Sequence, residues 1–125
     1  SAGAVDLTGI DLIEDGIIAQ NTDLDGQLRE PDGVVWIDDF FYATANEGDL
    51  NGGSRGFSIF NRWGGLAFDS GNEMEYVTAM LGHYPDERSG NKGNEPENVA
   101  YGKFGKDKLL FVNSERSSLV FVYDV

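Results

Sequence analysis

Apolar residues in this chain come in short runs, several of them alternating with polar ones, separated by clusters of Gly, Asn, Asp and Pro. A period of two marks strands with one face buried, and glycine-rich punctuation marks the turns between them. On this pattern residues 33–37 form a strand, Asp38-Asp39 its turn and residues 40–45 the return strand. Residues 55–60 and 65–69 continue the meander around a turn at 61–64. The exception is 73–81, where Met74, Val77 and Leu81 recur near helical spacing and predict a short helix. Residues 83–97 are polar, carry Pro85, Gly90, Gly93 and Pro96, and read as a long surface loop. Residues 99–104, 109–113 and 119–125 form a second strand set, the last one rich in β-branched and aromatic side chains.

The two strand sets repeat one another. Pro31-Asp32-Gly33-Val34 matches Pro96-Glu97-Asn98-Val99, Asn46-Glu47 matches Ser114-Glu115, and Phe57-Ser58-Ile59-Phe60-Asn61 matches Val120-Phe121-Val122-Tyr123-Asp124. Repeated antiparallel meanders that cannot bury both faces alone are the pattern of β-propeller blades. The expectation is an all-β chain of antiparallel four-stranded meanders, a partial propeller forming a single unit over 1–125. Its parts are a lead-in at 1–30, a first blade at 31–81, a surface loop at 82–96 and part of a second blade at 97–125. A propeller needs about four or more blades of roughly 40–50 residues. These residues supply two to three, which implies a fragment, a chain completed by a partner, or a small sandwich whose repeat misleads.

Composition narrows the chemistry. With 22 acidic against 9 basic residues the formal charge is −13, which repels nucleic acid and anionic lipid. Gathered carboxylates call for a cation, and calcium is the cofactor this suggests; no organic cofactor is indicated. The chain has no cysteine and one histidine, His83, so it offers neither thiolate chemistry nor a site of several imidazoles. No apolar run is long enough to span a bilayer, and no membrane insertion is expected within these residues.

Two constellations carry candidate metal chemistry. In the segment 21–32, oxygen-bearing side chains fall at loop positions 1, 3, 5 and 12 (Asn21, Asp23, Asp25, Asp32), with Gly26 at position 6 and Gln27 offering a carbonyl. That is the oxygen spacing of a calcium loop, and an ordinary Asx-rich turn is the alternative. The second is the repeated acids Asp32, Glu47, Glu97 and Glu115, which would ring one mouth of a central channel if the innermost strands begin at Asp32 and Glu97. Asp32 does not readily serve both.

The remaining polar residues read more plainly. The loop 46–55 is glycine-rich and acidic but lacks a phosphate-binding lysine, and its Arg55 is expected to pair with Asp49 or Glu47. Arg88, Lys92 and Arg116 are expected to offset nearby acids. Trp36 and Trp63 read as sheet-packing residues. No Gly-x-Ser-x-Gly elbow occurs, while paired acids such as Glu95 and Glu97 are too common in this composition to single out a hydrolase.

The motifs Pro31-Asp32-Gly33, Thr44-Ala45-Asn46-Glu47-Gly48-Asp49, Arg55-Gly56-Phe57-Ser58-Ile59-Phe60, Phe68-Asp69-Ser70-Gly71, Asn91 to Val99 and Val122-Tyr123-Asp124-Val125 together resemble the choice-of-anchor I family. It includes mesenchyme-specific cell-surface glycoproteins and bacterial proteins labelled alkaline-phosphatase-like. The resemblance implies a secreted or cell-surface propeller longer than this chain, partnered by its own remainder or by other chains. Two departures stand out: the family's Pro-Glu-Pro-Glu-Gly is Asn94-Glu95-Pro96-Glu97-Asn98 here, and its Leu-Glu-Arg is Ser114-Glu115-Arg116. Three functions follow as expectations. The first is a calcium-binding extracellular module with a structural, matrix or assembly role; the second is a metal-dependent phosphoesterase; the third is an assembly subunit whose exposed blade edge pairs with another chain by strand addition.

Overall fold

Most of the short alternating runs become strands because one face is buried against a neighbouring sheet, and glycine or Asx turns reverse the chain between them. The computed structural model describes residues 2–48 and 52–125. The strands are β1 (Ala4–Ile10), β2 (Thr22–Leu28), β3 (Gly33–Trp36), β4 (Phe41–Ala45), β5 (Phe57–Asn61), β6 (Leu66–Asp69), β7 (Pro96–Phe104), β8 (Asp107–Ser114) and β9 (Leu119–Asp124). Among the described residues one helix, α1 (Glu73–Met80), follows β6, and a 3-10 turn covers Asp86–Arg88. All pairing is antiparallel, in three sheets: β1-β2, β3-β4-β5-β6 and β7-β8-β9. The all-β, antiparallel reading therefore holds, and the helix lies where Met74 announced it.

The lead-in is different from expectation. Residues 22–28 are a strand paired with β1, so the twelve residues from Asn21 do not wrap around a point as a calcium loop does. Leu24 and Leu28 alternate with Asp23, Asp25 and Gln27, a period of two that the Asp-x-Asp-Gly spacing masks. Gly26 and Gly9 both have positive φ, at 65° and 64°, and sit where the β1-β2 register shifts. The acids cap these irregularities: the Gly26 amide donates to Asp6 Oδ1 at 2.8 Å and the Gly9 amide to Asp23 Oδ1 at 3.0 Å.

The second and third sheets pack face to face. Ile37, Ala43, Ala45 and Phe57 from the second sheet meet Val99, Leu110 and Val112 from the third, and Met74 of α1 closes the cluster. Phe57 is the largest side chain sealed within it, with ring centroids 5.5 Å from Phe68 and 4.5 Å from Tyr123. β3 lies against β7 so closely that a Cβ at Gly33 would come within 2.8 Å of the Glu97 carbonyl oxygen, which only glycine avoids.

The repeat tells which faces meet. Val34 and its counterpart Val99 differ sharply in exposure, 65% against 6%, and Phe57 and its counterpart Val120 differ in reverse, 1% against 63%. Both differences follow from one arrangement. Call the side of each sheet carrying Val34 or Val99 its back, and the opposite side its front. The third sheet lays its back, with Val99, Leu110, Val112, Phe121 and Tyr123, on the front of the second, with Ala43, Ala45, Phe57 and Ile59. The first sheet reaches the back of the second through Arg29, whose guanidinium bonds Ser58 and Asp69 and lies over the Phe60 ring. Trp36 also belongs to that back, edge-on to Tyr42 with centroids 5.2 Å apart, whereas Trp63 stands exposed in the β5-β6 turn beside Arg62. Trp36 therefore leans on Tyr42 but is itself 56% exposed, so neither tryptophan is sealed by sheet packing.

Candidate functional site

The loops at one end of the two larger sheets hold charged groups away from water. Arg55 has φ 60°, a left-handed backbone that side-chain-bearing residues rarely adopt, and is buried. That backbone is sustained because the guanidinium is caged: Nη2 donates to the Ser89 carbonyl at 2.7 Å, Nη1 to the Asp11 carbonyl at 3.3 Å, and Nη1 meets Glu75 Oε2 at 3.4 Å. Glu75 stands in the first turn of α1, where a carboxylate also complements the helix dipole. Its other oxygen accepts the Asn94 amide at 2.8 Å. Burial pushes the Glu75 carboxyl above the usual carboxylate range, while Arg55, the Asn94 amide and Tyr84 pull it back. The Tyr84 phenol is raised in turn by burial and by the Glu75 charge. Gly93 is required beside them, since a Cβ there would collide with Glu75 Oε1.

A second buried carboxylate, Glu95, adjoins this cage through Asn94 and has φ 50°. It joins Arg88 of the 3-10 turn to Arg116 of the loop after β8, the latter at 2.6 Å. Its backbone carbonyl also takes the Glu115 amide at 3.1 Å, and the Ser114 hydroxyl donates to the Asn94 carbonyl. Lys92 pairs with Glu47 at 3.0 Å. The group therefore links the loop after β4, helix α1, the 83–95 segment and the start of the 115–118 loop. Each of its buried carboxylates faces a cation, so the arrangement is suited to fastening loops.

The residues singled out from sequence are distributed otherwise. Asn21, Asp23 and Asp25 are exposed on the first sheet, with Gln27 half-buried beside them. Asp32 and Glu97 do come to neighbouring strand starts, where β3 meets β7. Glu47 is drawn to Lys92, and Glu115 is exposed near Arg116 at 3.9 Å, so the four acids do not converge on one point. Among the described residues no cluster of three or more His, Asp or Glu side chains is placed to hold a metal ion, and the side chains of the expected calcium loop do not fit one. Arg55 does pair with an acid, though with Glu75 in place of Glu47; Asp49 lies outside the described residues. The expectation that Arg88, Lys92 and Arg116 offset acids is met. Glu75 was the residue most easily overlooked, and its signal was its place on α1 between Met74 and Thr78, which are both buried.

The class these features define is an all-β protein of stacked antiparallel meanders fastened at the loop end by buried ion pairs. A profile of the choice-of-anchor I domain matches residues 50–125, and the chain belongs to that family. No curated protein and no solved structure matches it. No helix among the described residues is long and apolar enough to cross a membrane.

Proposed function

We propose that these residues are consecutive blades of a β-propeller in an extracellular or cell-surface protein whose role is structural, in matrix contact or in assembly. The observation that carries this reading is the back-to-front stacking of two sequence-equivalent sheets. A contact between unlike faces does not satisfy itself; it either closes into a ring or continues open-ended. The front of the third sheet carries Ala100, Phe111, Val120 and Val122, counterparts of the second sheet's buried front, and Val120 and Val122 are 63% and 55% exposed. An apolar sheet face of this kind marks an interaction surface. Family membership supports the surface location.

Two measurements test the reading. Sedimentation at moderate salt is expected to show concentration-dependent association, abolished in the double variant Val120→Glu, Val122→Glu. That variant should lose no more than about 0.5 kcal/mol of folding stability, because both side chains are already in water. A wild-type chain that stays a compact monomer at every concentration overturns the proposal.

Calcium joins this proposal through charge. Asp32 and Glu97, at the neighbouring starts of β3 and β7, are two of the acids behind the formal charge of −13. Calorimetric titration is expected to show calcium binding that Asp32→Asn and Glu97→Gln weaken together, while Asp23→Ala leaves it unchanged. Absence of heat removes calcium and leaves the stacking untouched.

A further inference from the structure

The second sheet has four strands and the third has three, although their first three strands are counterparts. In the second sheet β5 is paired on both edges, with β4 and with β6. Its counterpart β9 is paired with β8 alone among the described residues, so one edge presents unpaired backbone N–H and C=O groups. Beside that edge lies a cavity of about 430 Å³. Its walls come from the front of the second sheet, Phe41, Phe57, Ile59 and Phe68, and from Lys108 and Tyr123 of the third. The hollow therefore sits over β5 and β6, where a fourth strand of the third sheet would lay its back.

We infer that the free edge of β9 accepts one antiparallel strand whose residue opposite Tyr123 is large and apolar and fills this cavity. The inference rests on the propeller reading and gives it a specific partner chemistry. Register follows from β5 and β6, where Ser58 pairs with Asp69, Ile59 with Phe68 and Phe60 with Leu66. By the repeat, the incoming residues stand opposite Phe121, Val122 and Tyr123. Directly opposed residues in an antiparallel pair share a face. The residue opposite Tyr123 thus points into the cavity and must be apolar, as Leu66 is. The residue opposite Val122 joins the front face, as Phe68 does. Backbone pairing supplies affinity and the alternate side chains supply selectivity, as in other strand additions.

The test uses the chain's own fourth strand. Val125 is the counterpart of Arg62, so a copy of the segment 63–69 appended after Val125 places the Leu66 and Phe68 equivalents in register. Hydrogen exchange of the β9 amides should slow at least tenfold in the extended chain, and the denaturation midpoint should rise. A matched extension whose copy carries Leu66→Asp should restore fast exchange. Unchanged β9 exchange in the extended chain overturns the inference. Equal protection by the Leu66→Asp copy also overturns it, because the cavity would then play no part. Failure of the stacking reading shows separately, as wild-type sedimentation without association, and does not alter β9 exchange.

Discussion

Replacing Arg55 by alanine should cost about 3–5 kcal/mol of folding stability, the range for removing one member of a buried ion pair. The loss is large because Glu75 is then sealed from water without its cation, so that it either stays charged at a penalty or takes up a proton, and the Asp11 and Ser89 carbonyls lose a donor. Against a total stability of about 5–15 kcal/mol for a domain, this is enough to bring the fold to the edge of unfolding. Urea denaturation measures it. Arg55→Lys keeps the charge but cannot direct nitrogens at Glu75 and at two carbonyls together, so it should recover only part of the loss. A loss under about 1 kcal/mol for the alanine variant would place the cage among pairs that contribute nothing net.

The same pair gives a pH signature. Burial raises the Glu75 carboxyl above its ordinary value in the folded chain. The folded state then binds this proton more tightly than the unfolded state, so the contribution is fully present below the unfolded pKa and is lost as pH rises through the folded one. Glu75→Gln removes that titration. Wild-type stability relative to Glu75→Gln should therefore decline as pH rises from the unfolded carboxylate range, and a difference that grows with pH would reverse the assignment.

The second large effect belongs to Phe57. Phe57→Ala should cost about 3–5 kcal/mol, the range for truncating a buried aromatic ring. The ring touches Phe68 within its own sheet and Tyr123 across the seam, so its removal opens the core between the sheets. Amides of β5 and β9 should lose exchange protection together if the two sheets form one cooperative unit. Loss confined to β5 would show that they open separately. Val122→Ala serves as the comparison, since that side chain faces water in the isolated chain and should change stability little.

How much of this was legible follows from what kind of signal each feature leaves. The larger sheets were readable because residues such as Val120 to Tyr123 pair strand-forming content with a two-residue period, and turns such as Asn61 to Gly64 declare themselves. The repeat was readable too, although Val34 and Val99 match in sequence and differ in burial. That difference becomes sensible only when sheets stack back to front. The β1-β2 hairpin was hidden because Asp23-Leu24-Asp25-Gly26 has the spacing of a chelating loop, while Asp23 and Asp6 cap amides at register shifts. The Arg55–Glu75 pair left almost no trace. A charge buried by tertiary packing is written with the same letters as a charge in water, and its partner lies 20 residues away.

The cage around Arg55 has a kinetic meaning as well. Its carbonyl acceptors lie 44 and 34 residues distant along the chain, so closing it requires both long loops to be in place. Hairpins such as β7-β8 form from neighbours and can precede it, whereas contacts of such separation carry the loop-closure entropy and arrive late. A clasp that closes after the rate-limiting step does little to hasten folding, but it must be undone before the sheets part. Its influence falls on how long the folded molecule endures more than on how quickly it is made.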